Sequence, residues 1–271
     1  MPKDLQAHIR YPKQLFSIQS QLYNTYHMSD PQVFYNREDL WETPMEIYGD
    51  QETIMDPYYI VMREPDEEKE SFLMMRPFTP TNKPNMIAWM SASSDLDSYG
   101  QLKVFKFPKD SLIFGPIQIE SRIDQNTEIS QKLTLWDQKG SRVIRGNLMI
   151  IPINNGIIYA EPVYLQATQS KLPELKRVIL AHNDLIVMEP TLDQALMTLI
   201  GQRIERLDNI SNKLIKTDIN DSKVIRLLNT IRIEYQKMKR ASQESNFTEF
   251  GKQLQKLDKL IQSIEQYKQK K

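Results

Sequence analysis

Two β-like runs, Arg142–Ile153 (RVIRGNLMIIPI) and Ile157–Gln166 (IIYAEPVYLQ), stand either side of Asn154-Asn155-Gly156. An Asn-Gly pair between apolar, β-branched runs is the strongest short-range signal for an antiparallel hairpin, because both residues reach positive φ at little cost. Pro152 and Pro162 have no N–H to give a ladder, so each is expected at an edge or a bulge.

The pattern on both sides extends this sheet. Upstream, short runs rich in aromatic and β-branched residues predict strands at Tyr58–Arg63, Phe72–Arg76, Met86–Ser91 and Leu102–Phe107, with the acidic Glu64–Glu70 segment as a solvated loop. Downstream, Leu175–Ala181 and Leu185–Met188 flank the turn residues His182-Asn183-Asp184. Helical spacing appears at Pro12–His27, where Leu15, Phe16, Ile18, Leu22, Tyr23 and Tyr26 read as one apolar face that docks on the rest. A short helix or turn is predicted at Asn36–Trp41, between Pro31 and Pro44. Pro116–Gln138 is helical with Asn126 as a cap between two helices. Thr191 and Gln194 have capping-box spacing at the start of a helix that Gly201 can end.

Past Gly201 the strands stop. Val224, Leu227 or Leu228, Ile231, Tyr235 and Met238 form one stripe, and Phe247, Phe250, Leu254, Leu257, Ile261 and Ile264 form another, with Asn246 and Glu249 at capping spacing. The expected fold is therefore α+β: a mixed, largely antiparallel sheet from Tyr58 to Met188 with packed helices, followed by a C-terminal αα-hairpin. The expected domains are a core over 1–201 and a hairpin module over 202–271, joined by the polar Asp208–Asp221 segment.

Composition removes several function classes. Lys+Arg and Asp+Glu balance at 35 each, so no net field draws the chain onto nucleic acid. With Cys 0, disulfides, thiolate zinc sites and cysteine nucleophiles are excluded. The apolar run Leu148–Ile151 meets Pro152 at once, and Met1–Gln6 lacks an apolar stretch, so neither a spanning helix nor a signal peptide is expected in these residues.

Candidate chemistry is sparse. His8, His27 and His182 are scattered and show no zinc spacing. Glu120, Asp124 and Glu128 would share a face of an unbroken helix and suit a hard cation, but Asn126 interrupts it. Asp95 and Asp97 lack the glycine and distal glutamate of a calcium loop. There is no phosphate-cradling glycine loop and no GxSxG elbow. No catalytic residue, cofactor or metal ligand is assigned. The chemically unusual phrase is Ser141–Asn147: on a strand, Val143, Arg145 and Asn147 alternate onto one face. Arg145 and Asn147 are the candidate ligand-binding pair, suited to a carboxylate, phosphate or sugar; the ordinary expectation is an arginine buried against an acidic partner.

Ordered phrases along the chain carry a resemblance. They include His8–Pro12, Tyr26-His27, Phe34–Trp41, Pro57–Tyr59, Arg76–Pro80, Phe114–Glu120, Ile129–Gln131, Leu135–Asp137, Gly140–Asn147, Glu161–Leu165 and Leu172–Val178. Together they resemble the uncharacterised protein family UPF0182, bacterial multi-pass membrane proteins with a large extramembranous C-terminal region. The resemblance carries no functional residues. It implies a place at the cell membrane with this region outside the cytoplasm, and a membrane part supplied ahead of His8 by the same or a separately encoded protein. Two classes of function then compete: an interaction or ligand-binding domain, open to self-association through the C-terminal hairpin, and an enzyme of unrecognised type acting on cell-envelope material.

Overall fold

The computed structural model describes residues 2–6, 8–49, 51–65, 67–108, 112–138, 140–153, 156–169, 172–202, 222–243, 249, 252–253, 256–257 and 259–260. They fall into two compact units, Met1–Ile150 with Leu165–Pro173, and Ile151–Tyr164 with Glu174–Lys271.

The first unit opens with helices α1 (Lys3–Gln6), α2 (Lys13–Tyr26) and α3 (Pro31–Asn36). Asp30 caps α3: its Oδ1 accepts from the backbone N–H of Gln32 and Val33 at 2.8 and 3.1 Å. Pro31 follows as N1, where its missing N–H is no loss, and Arg37 closes the helix in the left-handed region at φ 55. The short helix expected at Asn36–Trp41 thus lies earlier, and Trp41 begins strand β1 (Trp41–Glu42).

Strands β2 (Met45–Tyr48) and β3 (Gln51–Ile54) form a separate antiparallel hairpin that the sequence reading did not include. The main sheet of this unit contains β1, β4 (Tyr58–Met62), β5 (Ser71–Pro80), β6 (Ala88–Ser93) and β7 (Leu102–Lys106), ordered β1-β5-β6-β7 with β4 also on β5. All of its pairings are antiparallel.

The central strand β5 is buried on both faces, which explains its near-continuous apolar run. Met74 and Phe78 pack with Tyr11, Phe16, Trp41 and Met90, while Leu73 and Met75 pack with Met62 and Trp89. Arg76 shares the Met74 face and is buried; its Nη1 donates to Ser20 Oγ of α2 at 2.9 Å and its Nη2 to Met55 O at 3.2 Å.

Helix α2 corrects an expectation. Phe16 and Ser20 are fully buried against the sheet, whereas Leu15, Ile18, Leu22 and Tyr26 are exposed. The helix has two apolar faces, and the described residues cover one of them.

Helices α4 (Pro116–Gln125) and α5 (Thr127–Trp136) meet at Asn126, whose Oδ1 accepts from Ile129 N at 3.1 Å, as its capping role predicted. Gly115 precedes α4 because a β-carbon there would stand 1.8 Å from Pro84 O. Strand β8 (Ser141–Arg145) follows.

In the second unit the sheet order is β12-β11-β10 with β9 beside β10, for β9 (Met149–Ile153), β10 (Gly156–Ala167), β11 (Glu174–His182) and β12 (Leu185–Glu189). β11 and β12 are antiparallel and turn at Asn183, φ 51, as the turn chemistry predicted. The fold class is α+β with antiparallel pairing, but the strands from Tyr58 to Met188 do not form the single sheet expected. The α4–α5 pair divides them between two sheets.

Helix α6 covers 192–202, with Thr191 Oγ1 accepting from Gln194 N at 3.3 Å; Gly201 is helical and does not stop it. Helix α7 is Ser222–Gln243. The core joins Ile158, Val178, Leu180 and Val187 of the sheet, Ala195 and Leu199 of α6, and Ile231, Met238, Ala241 and Leu257 beyond them. The stripe through Ile231, Tyr235 and Met238 is that read from the sequence. The Asn154-Asn155 turn, the Asp208–Asp221 segment, and Asn246, Phe247, Phe250, Leu254, Ile261 and Ile264 lie outside the described residues.

Candidate functional site

Strand β8 ends at Arg145, so the alternation that placed Val143, Arg145 and Asn147 on one face holds only as far as Arg145. Val143 and Arg145 are buried. Arg145 Nη2 donates to Glu120 Oε2 and its Nη1 to Asp124 Oδ1 at 2.7 Å. The two acids are one turn apart on α4, and they differ: Glu120 is 0% exposed, whereas the Asp124 side chain is 51% exposed. The carbonyl of Arg145 accepts from Gly49 N at 3.0 Å, which fixes the end of the β2–β3 hairpin.

Asn147 is committed elsewhere. Its Nδ2 donates to Glu46 Oε1 at 3.0 Å, and the N–H of Leu148 donates to Glu46 Oε2 at 3.2 Å. The two residues singled out in the sequence therefore lean on different acids, Arg145 on α4 and Asn147 on β2. An anion approaching Arg145 has to displace Asp124, and a sugar approaching Asn147 has to displace Glu46.

Glu46 was missed because it sits on an unpredicted four-residue strand; the alternation of Met45-Glu46-Ile47-Tyr48 is the only trace it leaves. Burial pushes its carboxyl above the usual 4.5, against the opposing effects of Asn147 and the Leu148 N–H. A carboxyl with a raised folded pKa takes up its proton more readily folded than unfolded. Its contribution is fully present below pH 4.5 and is lost as pH rises through the folded value. The Glu46→Gln variant is expected to flatten the fall in stability above that pH, since a flipped Asn147 amide keeps both hydrogen bonds. Urea midpoints from pH 4 to 8 check this; parallel curves for the two proteins reject it.

A second polar cluster lies in the same unit. Ser91 Oγ donates to Glu64 Oε1, and Lys103 Nζ donates to Glu64 Oε2 and Glu67 Oε1, both at 2.8 Å. Hydrogen bonds to Glu64 and Glu67 hold the Lys103 ammonium above its usual pKa. Glu64, expected in a solvated loop, is buried, and Ser91 beside it is 1% exposed.

His27, His182, Glu128 and Asp95 have structural partners, and Asp97 is exposed. His27 stacks on Trp41 at 3.8 Å between centroids, with Nδ1 on Tyr23 O at 2.8 Å and Nε2 3.5 Å from Asp39. His182 is buried with Nδ1 on Ile157 O at 2.8 Å, and His8 is exposed. Glu128 belongs to α5 and pairs with Lys132 at 2.6 Å, apart from Glu120 and Asp124. Asp95 receives the N–H of Phe72 at 3.3–3.4 Å. Among the described residues no three His, Cys, Asp or Glu side chains are grouped to hold a metal ion, and no helix is long and apolar enough to cross a membrane.

Among the exposed large apolar side chains, which include Ile54, Val61, Leu112 and Leu172 elsewhere, six lie on two successive helices: Leu15, Ile18, Leu22 and Tyr26 on α2, and Phe34 and Tyr35 on α3. The rings of Tyr26 and Phe34 lie 6.0 Å apart, joining the two helices into one surface.

The profile of the Uncharacterised protein family (UPF0182) matches residues 1–136. A UPF0182 protein of Trichodesmium erythraeum (strain IMS101) is 48% identical over 265 residues, 97% of this chain and 28% of its own length. One of Pelotomaculum thermopropionicum is 47% identical over 265 residues, 97% of this chain and 29% of its own, and one of Desulforamulus reducens is 56% identical over 202 residues, 74% and 22%. The chain thus spans less than a third of the length of these relatives. Their names state no activity. No solved structure matches the chain. The profile match, together with close relatives aligned over nearly the whole sequence, makes this chain a member of the UPF0182 family.

Proposed function

We propose that this chain is an interaction domain of a membrane-associated protein, working by docking and not by catalysis. The observation that carries the reading is the exposed apolar surface of α2 and α3, where Tyr26 is 69% and Tyr35 86% exposed. Contiguous large apolar side chains left in water mark a binding surface, and aromatic residues are the usual anchors of one. The polar candidates point the same way, because Arg145, Asn147 and Ser91 already hold partners within the chain.

The proposed partner is the membrane part of the same protein or of a separately encoded one, and the proposed place is the outer face of the cell membrane. A C-terminal αα-hairpin over 202–271 is proposed as a second surface, for self-association. Fractionation of cells expressing the native locus, with protease added to intact spheroplasts, tests the placement. Recovery with membranes and digestion from outside are expected. Recovery in the soluble fraction with full protection overturns it, in favour of a free-standing cytoplasmic binding protein.

A further inference from the structure

We infer that the α2–α3 surface is the seat of an uncharged helix from the part of the family polypeptide that this chain does not span; the inference rests on the interaction-domain reading. Leu15, Ile18, Leu22 and Tyr26 recur at intervals of three, four and four, which makes a single ridge along α2. They are 44%, 57%, 53% and 69% exposed. A ridge of this spacing is the form on which a second helix packs.

The ridge is held rigid from behind. Phe16 and Ser20, about a third of a turn round the helix, are fully buried, and Arg76 fixes Ser20 through its Nη1 at 2.9 Å. Tyr23 packs on Trp41 and Phe78 at 5.9 and 6.3 Å between centroids. A surface fixed this way loses little freedom when it is covered.

Charge decides between occupants. From Gln14 to Asn36 the sole Asp, Glu, Lys or Arg is Asp30, in a chain that is 26% charged, and its carboxylate caps α3. Helices that lie on anionic lipid carry lysine and arginine beside their apolar face, whereas the one lysine of α2, Lys13 at its first position, is paired with Asp56 at 2.7 Å. The occupant is accordingly uncharged and apolar along the contact.

Size and length decide where it comes from. Six side chains make a small patch, whereas stable complexes between free proteins bury about 1,200–2,000 Å2. Such a patch suffices when the partner is tethered, because the second contact then forms at high effective concentration. In the relatives this span is joined to a much longer chain: it makes up 28% of one and 29% of another.

The test is photo-crosslinking in cells. Benzoyl-phenylalanine is placed at Ile18 or Leu22, and at the exposed Glu52 as control, in the protein expressed from its native locus, and the crosslinked peptides are sequenced. Peptides from family polypeptide outside the span of this chain are expected. The Leu15→Asp, Leu22→Asp double variant is expected to lower the yield at Ile18 at least about thirtyfold, the loss that follows removal of an interface anchor. Its thermal unfolding should be unchanged, since both side chains face solvent. Adducts to lipid, to a second copy of this chain or to an unrelated protein overturn the inference but leave the interaction reading standing. Yields no higher than at Glu52 overturn both.

Discussion

Replacing Arg145 with methionine is expected to lower the stability of the first unit by about 3–5 kcal/mol, the usual result of leaving a buried charge without its counter-ion. Glu120 is 0% exposed and receives the guanidinium directly, while Asp124 reaches water and tolerates the loss. The effect therefore runs through Glu120. In an unfolding scan it should appear as a fall of roughly 10 °C, on the scale at which a domain of this size loses 2–4 °C per kcal/mol. The Arg145→Met, Glu120→Leu double variant should recover most of that, because a buried ion pair replaced as a unit by apolar side chains is nearly neutral. This separates the two readings of Arg145. A residue kept for a ligand rather than for the fold would give a single variant as stable as the parent, and that outcome would return Arg145 to the list of binding residues.

The sequence told which side of a strand Arg145 faces but not what faces it. Its partner Glu120 is 25 residues away, and the partner of Asn147, Glu46, is 101 residues away. Periodicity reports the direction of a side chain, and tertiary pairing is invisible to it. The missing β2–β3 hairpin has the same cause in another form: strands of four residues with acids among them fall below what alternation can detect.

The strand read at Phe72–Arg76 differs in another way: β5 runs on through Pro77 to Pro80. β4 pairs with β5 from Ser71 to Met75 and β1 pairs at Thr79 and Pro80, so on that side the missing N–H of Pro77 falls in a gap and costs no ladder bond. The α2 ridge was visible throughout, because Leu15, Ile18, Leu22 and Tyr26 are plain in the sequence. What could not be read is that, of the face predicted at Pro12–His27, Phe16 would be fully buried with Ser20 beside it while Leu15, Ile18, Leu22 and Tyr26 stay exposed. An apolar pattern states that a face wants cover, and says nothing of whether the cover lies within the same stretch of polypeptide.

A chain ended after Gly201 is expected to lose the cooperative unfolding of the second unit altogether. Ile231, Met238, Ala241 and Leu257 are 4%, 1%, 3% and 3% exposed, and they share one core with Ile158, Leu180, Val187 and Leu199. Removing even one large side chain from such a core costs about 2–5 kcal/mol, and a whole domain is stable by about 5–15 kcal/mol. Three large side chains and an alanine removed together exceed what the sheet and α6 can spare, and the core residues of the sheet that they cover become exposed to water. Hydrogen exchange should show the amides of β10–β12 unprotected in the truncated chain, with those of β5 and β6 still protected. The Met238→Ala variant of the full chain gives the graded form of the same test, with an expected loss of about 2–5 kcal/mol. Native protection in β10–β12 after truncation would instead establish the boundary read at residue 201, with the hairpin as a module that folds apart from the sheet.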